Sequence, residues 1–208
     1  LHSTSRRQRQ MCIRDRASTA MEAGFSTRVL DMQALDLQNG RFFDPAGELV
    51  NRCFKLYPWE WMVDESPDGC LAEMEWLEPI WKLVMSNKAI LATLYELFPD
   101  SPYVLPCYLS RPRSGLFCKK PVFSREGHNV SVVDIRDWEE YVRIAETEGD
   151  YNTGAYVYQE YVEPTAYSGR YPVIGSWIIG GEAAGIGIRE NSMEVTDNLS
   201  EFVPHIIG

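Results

Sequence analysis

The sequence has no paired-cysteine motif. Its five cysteines, Cys12, Cys53, Cys70, Cys107 and Cys118, are scattered without a CxxC spacing. That excludes a zinc ribbon and a disulfide framework, and it fits reduced thiols in a cytoplasmic protein. No apolar run reaches the 18 residues that a membrane-spanning helix needs. Internal repeats and low-complexity tracts are absent too. Cations are in the minority, 20 Lys and Arg against 30 Asp and Glu for a formal charge of −10, so the basic face expected of a nucleic-acid binder is not indicated. What is present is apolar and aromatic material: 45% hydrophobic and 12% aromatic residues over 208 positions. This is enough for a sizeable core, in one large domain or two small ones.

The few cations are unevenly placed. Residues 1–16, "LHSTSRRQRQMCIRDR", hold five arginines and one aspartate. They lack the apolar segment of a secretory signal. An Arg-rich, acid-poor start fits a transit peptide, but "RQMCIRDR" resembles translated adapter sequence. The expectation is a non-native leader at 1–16, followed by a chain that has lost its own beginning.

Further along, the pattern is mixed. "STRVLDMQAL" predicts a strand, Asn39-Gly40 a turn, and the segment to Met62 a strand running into a helix near Pro58. Ser66-Pro-Asp-Gly reads as loop. "NKAILATLYELF" carries Ile90, Leu91, Leu94, Leu97 and Phe98 at helical spacing, with Asn87 placed to cap and Pro99 to end it. From Leu116 strands dominate, interrupted by "IRDWEEYVRIAETE", which reads as an amphipathic helix with Trp138, Tyr141, Val142 and Ile144 on its apolar side. "GAYVYQEYV" and "YPVIGSWIIG" are strands, and Gly180-Gly181 is a hairpin turn. The fold class expected is α/β (α+β), with an antiparallel, β-rich second half and a boundary near 100, giving parts 17–100 and 101–208.

The stretch "CKKPVFSREGHNV", Cys118 to Val130, gathers three cations around a glycine between two strands. Cations beside a glycine, with backbone N–H groups exposed, suit a phosphate group. Lys120 would act as a point charge and Arg125 as a planar fork, with Gly127 allowing close approach. The same composition also fits an ordinary solvated hairpin. "YVYQEYVEP" could offer its peptide edge to an adenine, through the carbonyl of Glu160 and the N–H of Val162, or be a plain central strand. Arg189 ends a small-residue strand, aimed at the same phosphate or held in a surface ion pair. Glu60, in "YPWEW", could face an amine among aromatics, or belong to an aromatic core. His128 reads as a phosphate contact or a solvated side chain. Ser124 has no evident base, and the cysteines read as packing residues.

Taken in order, "PIWKLVMSNKAILATLYELFP", "CKKPVFSREGHNV", "VYQEYV" and "WIIGGEAAGIGIREN" with "FVPHI" resemble the C-terminal part of glutathionylspermidine synthase and of the shorter bacterial acid–amine ligases, over roughly residues 20–208. The resemblance implies an ATP-grasp fold and a ligase that phosphorylates a carboxylate, on glutathione or a similar acid, before a polyamine or similar amine attacks. It implies ATP contacts at Lys88 and Lys120, and a lid carrying Arg125 and Gly127. Gln159, Glu160 and Val162 would form a hinge at the adenine, with valine where a relative has tryptophan, and Arg189 would stabilise the transferring phosphoryl group. It also implies Mg2+, whose ligand motifs are not in this sequence. "RFFD" at 41–44 is a superficial echo of one. The expectation is therefore a fragment whose metal ligands lie upstream, the alternative being a non-catalytic nucleotide-binding module.

Overall fold

A computed structural model describes residues 13–137, 140–151, 154–195 and 200–206. Residues 1–12 of the leader, Cys12 and Trp138 lie outside them. The chain divides into two compact units, residues 1–86 and 87–208. Among the described residues, no helix is long and apolar enough to cross a membrane.

In the first unit, residues 13–22 form helix α1. Strands β1 (Asp36–Gln38), β2 (Arg41–Phe43) and β3 (Leu49–Val50) make a small antiparallel sheet. Asn39 and Gly40 turn β1 into β2 with φ of 50° and 75°, the left-handed pair that a two-residue hairpin needs. Buried Asp44 closes the next turn by accepting from the N–H groups of Ala46 and Glu48, both at 2.9 Å, and from Arg28. These bonds, led by the Glu48 amide, hold its carboxyl below the usual range. β4 (Arg52–Phe54) pairs in parallel with β5 (Glu75–Leu77), and helices α2 (Trp59–Glu65) and α3 (Pro67–Cys70) lie between them in sequence. Phe42, Trp59, Met62 and Trp76 form the core, with Trp76 edge-on to Phe42 and Trp59 at 5.6 and 5.5 Å between centroids. Such pairs contribute about 0.5–1.5 kcal/mol each beyond burial. A 3-10 turn and α4 (Leu83–Ser86) complete the unit.

Two sequence expectations are corrected here. "STRVLDMQAL" holds no strand among its ten residues. Asp31 accepts from Gln33 N–H at 3.0 Å and nucleates a 3-10 turn over Met32–Ala34 instead, so β1 begins at Asp36. Residues 67–70 are helical rather than loop, because Pro67 sits in the first turn, where its fixed φ suits a helix start.

The second unit opens with α5 (Ala89–Leu97), and Asn87 Oδ1 accepts from Ala89 N–H at 2.9 Å as a cap. Strands β6 (Cys107–Tyr108), β7 (Gly115–Pro121), β8 (Ser131–Ile135), β9 (Tyr141–Glu146) and β10 (Tyr156–Glu160) form an antiparallel sheet in the order β6-β10-β7-β8-β9. Ala92 of α5 packs on Cys107 and fully buried Val157, and Phe117, Val133 and Ile135 form a second cluster with Tyr158. β11 (Tyr171–Ile179), β12 (Glu182–Asn191) and β13 (Glu201–Val203) form a further antiparallel sheet, turned at Gly180-Gly181. The result is a mixed α/β chain with an antiparallel, β-rich second half.

The helix expected over 135–148 is a strand. Residues 141–146 pair with β8, from Ile135↔Tyr141 to Ser131↔Glu146, with a bulge at Val132/Val133. Tyr141, Val142 and Ile144 are strand formers, and β8 is buried along most of its length, so its outer edge needs a hydrogen-bonding partner.

Candidate functional site

Register places the side chains. On β7 and β10, Val157 stands opposite Lys120 and Gln159 opposite Cys118, so all four point to one face. Lys120 Nζ donates to Gln159 Oε1 at 2.7 Å. Burial raises the Cys118 and Cys107 thiols above their usual range, and the Lys120 charge partly offsets this in both. That places the ammonium within electrostatic reach of two sulfurs, buried at Cys107 and half-buried at Cys118.

Lys88 sits at the start of α5. Its N–H donates to Val122 O at 2.8 Å, and its ammonium donates to Ser124 O at 2.6 Å and Ser124 Oγ at 2.9 Å. The end of β7 is thereby pinned to the helix start, and Lys88 comes to the same end of the strand as Lys120.

Residues 122–130 link β7 to β8 as a flap. Arg125 is exposed at its tip, and His128 N–H closes a turn on Arg125 O at 2.9 Å. Gly127 has φ of 73°, between Glu126 at 56° and Asn129 at 55°. These three left-handed residues give the flap its tight turns. Two residues not singled out in the sequence, Asn129 and Thr147, hold the flap. Asn129 donates from Nδ2 to Gly149 O at 3.0 Å and accepts from Tyr151 N–H at 2.8 Å. Thr147 Oγ1 donates to Gly127 O and accepts from Val130 N–H. The available signal was an asparagine directly before a β-branched run, a residue suited to the left-handed region.

At the other end of β10, Glu160 N–H donates to Pro106 O at 2.8 Å and Tyr161 N–H to Leu116 O at 3.0 Å. Val162 is exposed just past the strand end. Tyr161 OH donates to Glu194 at 2.7 Å, which raises the phenol's pKa and ties the segment to the residues after β12.

The structure thus brings Lys88, Lys120, Gln159 and the Arg125–Gly127 flap to neighbouring positions around the ends of β7 and β10. Arg189 lies half-buried on β12, opposite Val173 and Phe202. It thus belongs to a different sheet from Lys120. Glu60 belongs to the first unit, in the opening turn of α2 beside the Tyr57–Trp61 ring pair. Among the described residues, no group of three or more His, Cys, Asp or Glu side chains could hold a metal ion.

A candidate acid–amine ligase from Haemophilus influenzae is 35% identical over 198 residues, covering 91% of this chain and 50% of its own length. Trypanothione synthetase from Crithidia fasciculata is 35% identical over 130 residues, 61% of this chain and 19% of its own. The bifunctional glutathionylspermidine synthetase/amidase of Escherichia coli is 27% identical over 218 aligned positions, 89% of this chain and 34% of its own. The chain therefore spans half or less of the length of these relatives. A family profile described as glutathionylspermidine synthase preATP-grasp matches residues 6–208, and the chain belongs to that family.

Proposed function

We propose that this chain forms the nucleotide-holding part of an ATP-dependent carboxylate–amine ligase with an ATP-grasp fold. The observation that carries the reading is that two lysines from separate elements are held near the end of β7, the Lys88 ammonium on Ser124 of the flap and the Lys120 ammonium on Gln159 of β10. The names of the relatives, which join acids to amines, support the reaction class.

ATP fits the residues present. Lys88 and Lys120 would meet phosphate oxygens, Gly127 would let the flap backbone approach them, and the 159–162 segment would border the base. Bound ATP supplies the phosphoryl group. Its transfer to a carboxylate oxygen gives an acyl phosphate and ADP. The amine nitrogen then bonds to the acyl carbon, the C–O bond to phosphate breaks, and a proton leaves the nitrogen. Arg125, and Arg189 on the second sheet, would stabilise charge that develops on the phosphoryl oxygens. Mg2+ does not fit the described residues, which offer no acidic cluster, so the charges meeting phosphate here are side-chain cations. Glutathione or a similar acid, and a polyamine or similar amine, are the proposed substrates. Glu60 is proposed as an amine contact, and the cytoplasm as the location.

The absence of an acidic cluster among the described residues favours a second reading, a nucleotide-binding module without catalysis. Both readings expect calorimetric ATP binding. Only the ligase expects ADP and phosphate to appear when an acid and an amine are supplied together. Phosphate release with an alcohol acceptor alone would contradict it. In the ligase, Arg125→Ala lowers turnover much more than ATP affinity; equal losses would remove its transition-state role.

A further inference from the structure

The sheet bearing Lys120 has a second face. Side chains alternate along β7, so Lys119 projects away from Lys120, standing opposite Tyr158 on one side and Ser131 on the other. There it meets a cavity of about 80 Å³ lined by Arg111, Lys119, Val133, Ile135, Tyr141 and Tyr158. Val133 and Ile135 are buried residues of the core cluster beneath it. Arg111 places its guanidinium 4.9 Å from the Tyr141 ring centroid and donates from one Nη to Asp137 O at 3.0 Å. The Lys119 ammonium lies 4.0 Å from the Tyr156 ring centroid.

Two features of this cavity are unusual together. Among the described residues, its lining holds two cations and two phenols but no carboxylate. Arg111 Nε is buried and, among the described residues, has no hydrogen-bond partner. A buried charged donor left without an acceptor is costly, and such groups in native structures call for a ligand or ion. At about 80 Å³ the cavity is smaller than the several hundred Å³ of a typical ligand pocket and suits one compact group. Burial raises the Tyr158 phenol and the Arg111 charge lowers it in part, so the phenol stays protonated and can donate.

We propose that this cavity is a small-oxyanion site, in which Arg111 Nε, the Lys119 ammonium and the Tyr158 hydroxyl hold a carboxylate or phosphate group. The site lies on the face away from Lys120 and does not depend on the nucleotide reading. Two sources share this chemistry, free inorganic phosphate and the terminal carboxylate of a small acid.

The 208-residue chain, titrated calorimetrically at low ionic strength with inorganic phosphate and separately with N-acetylglycine, separates them. Saturable binding of at least one anion is expected, and the one that binds identifies the source. Arg111→Gln weakens that binding about tenfold or more, as loss of a charge-assisted hydrogen bond requires. Lys119→Gln does the same without disturbing the Asp137 contact, which keeps the test open should Arg111→Gln misfold. Arg52→Gln, on the exposed surface of the first unit, retains the binding. No saturable heat with either anion, unchanged affinity in both cavity variants, or an equal loss in Arg52→Gln would overturn the site.

Discussion

Lys120 and Tyr57 show how much one contact decides. Lys120 is held at 2.7 Å by Gln159 and acts on two thiols. Removing an ammonium that meets phosphate costs about 1.5–3 kcal/mol. Lys120→Ala is thus expected to weaken ATP binding about tenfold to a hundredfold by calorimetry, and unchanged affinity would take Lys120 out of the site. The same change should slow Cys118 alkylation at fixed pH, since the thiolate loses its nearby cation. Tyr57 donates to Glu65, and that bond, with smaller contributions from burial and charge, pushes its phenol up to about 12. A raised folded-state value means the contribution to stability is complete below the unfolded value of about 10 and is lost as pH climbs through about 12. Ultraviolet difference titration should show several late-ionising tyrosines in the wild type, one fewer in Glu65→Ala, where Tyr57 returns to the ordinary range.

At the scale of elements, the flap is the informative piece. Asn129 and Thr147 fasten its C-terminal side to residues 147–151, and Lys88 fastens its start, leaving Arg125 and Gly127 between two fixed ends. Asn129→Ala loses two hydrogen bonds and puts alanine at a φ of 55°. Asn129→Gly loses the same bonds without that strain. Hydrogen exchange at the Tyr151 amide should therefore speed up in both variants, by about tenfold or more in Asn129→Ala and by less in Asn129→Gly. Exchange at the wild-type rate in both would show that the staple does not hold the flap. Some of this was legible in the sequence. The lysines, Gly127 and the two flanking strands show in "CKKPVFSREGHNV", because strand formers and turn residues act locally. The Lys120–Gln159 contact was not legible, since it depends on a register between strands 39 positions apart. The 141–146 segment was misread for a related reason. Tyr141, Val142 and Ile144 suit either period, and the decision comes from β8, whose edge must be paired.

For the molecule as a whole, the two units carry different parts of the reading. The first is an aromatic core around Trp59 and Trp76 with Glu60 at a helix start. The second holds every proposed cation: Lys88, Lys120, Arg125 and Arg189, and on the far face of the same sheet as Lys120, Arg111 and Lys119. In a chain of net charge −10, these six cations are the ones proposed to meet anions. The α/β class and the β-rich second half follow from composition and strand patterning. The packing of those strands into sheets depends on long-range pairing, and Tyr161 reaching Glu194 has no local signature.

The central claim is that ATP sits between the flap and the 159–162 segment, and amide hydrogen exchange with and without ATP reads that location directly. The account predicts slower exchange on ATP addition at residues 122–127 and 159–162, with little change around Trp59 and Trp76. Protection confined to other segments, or none at saturating ATP, would contradict it.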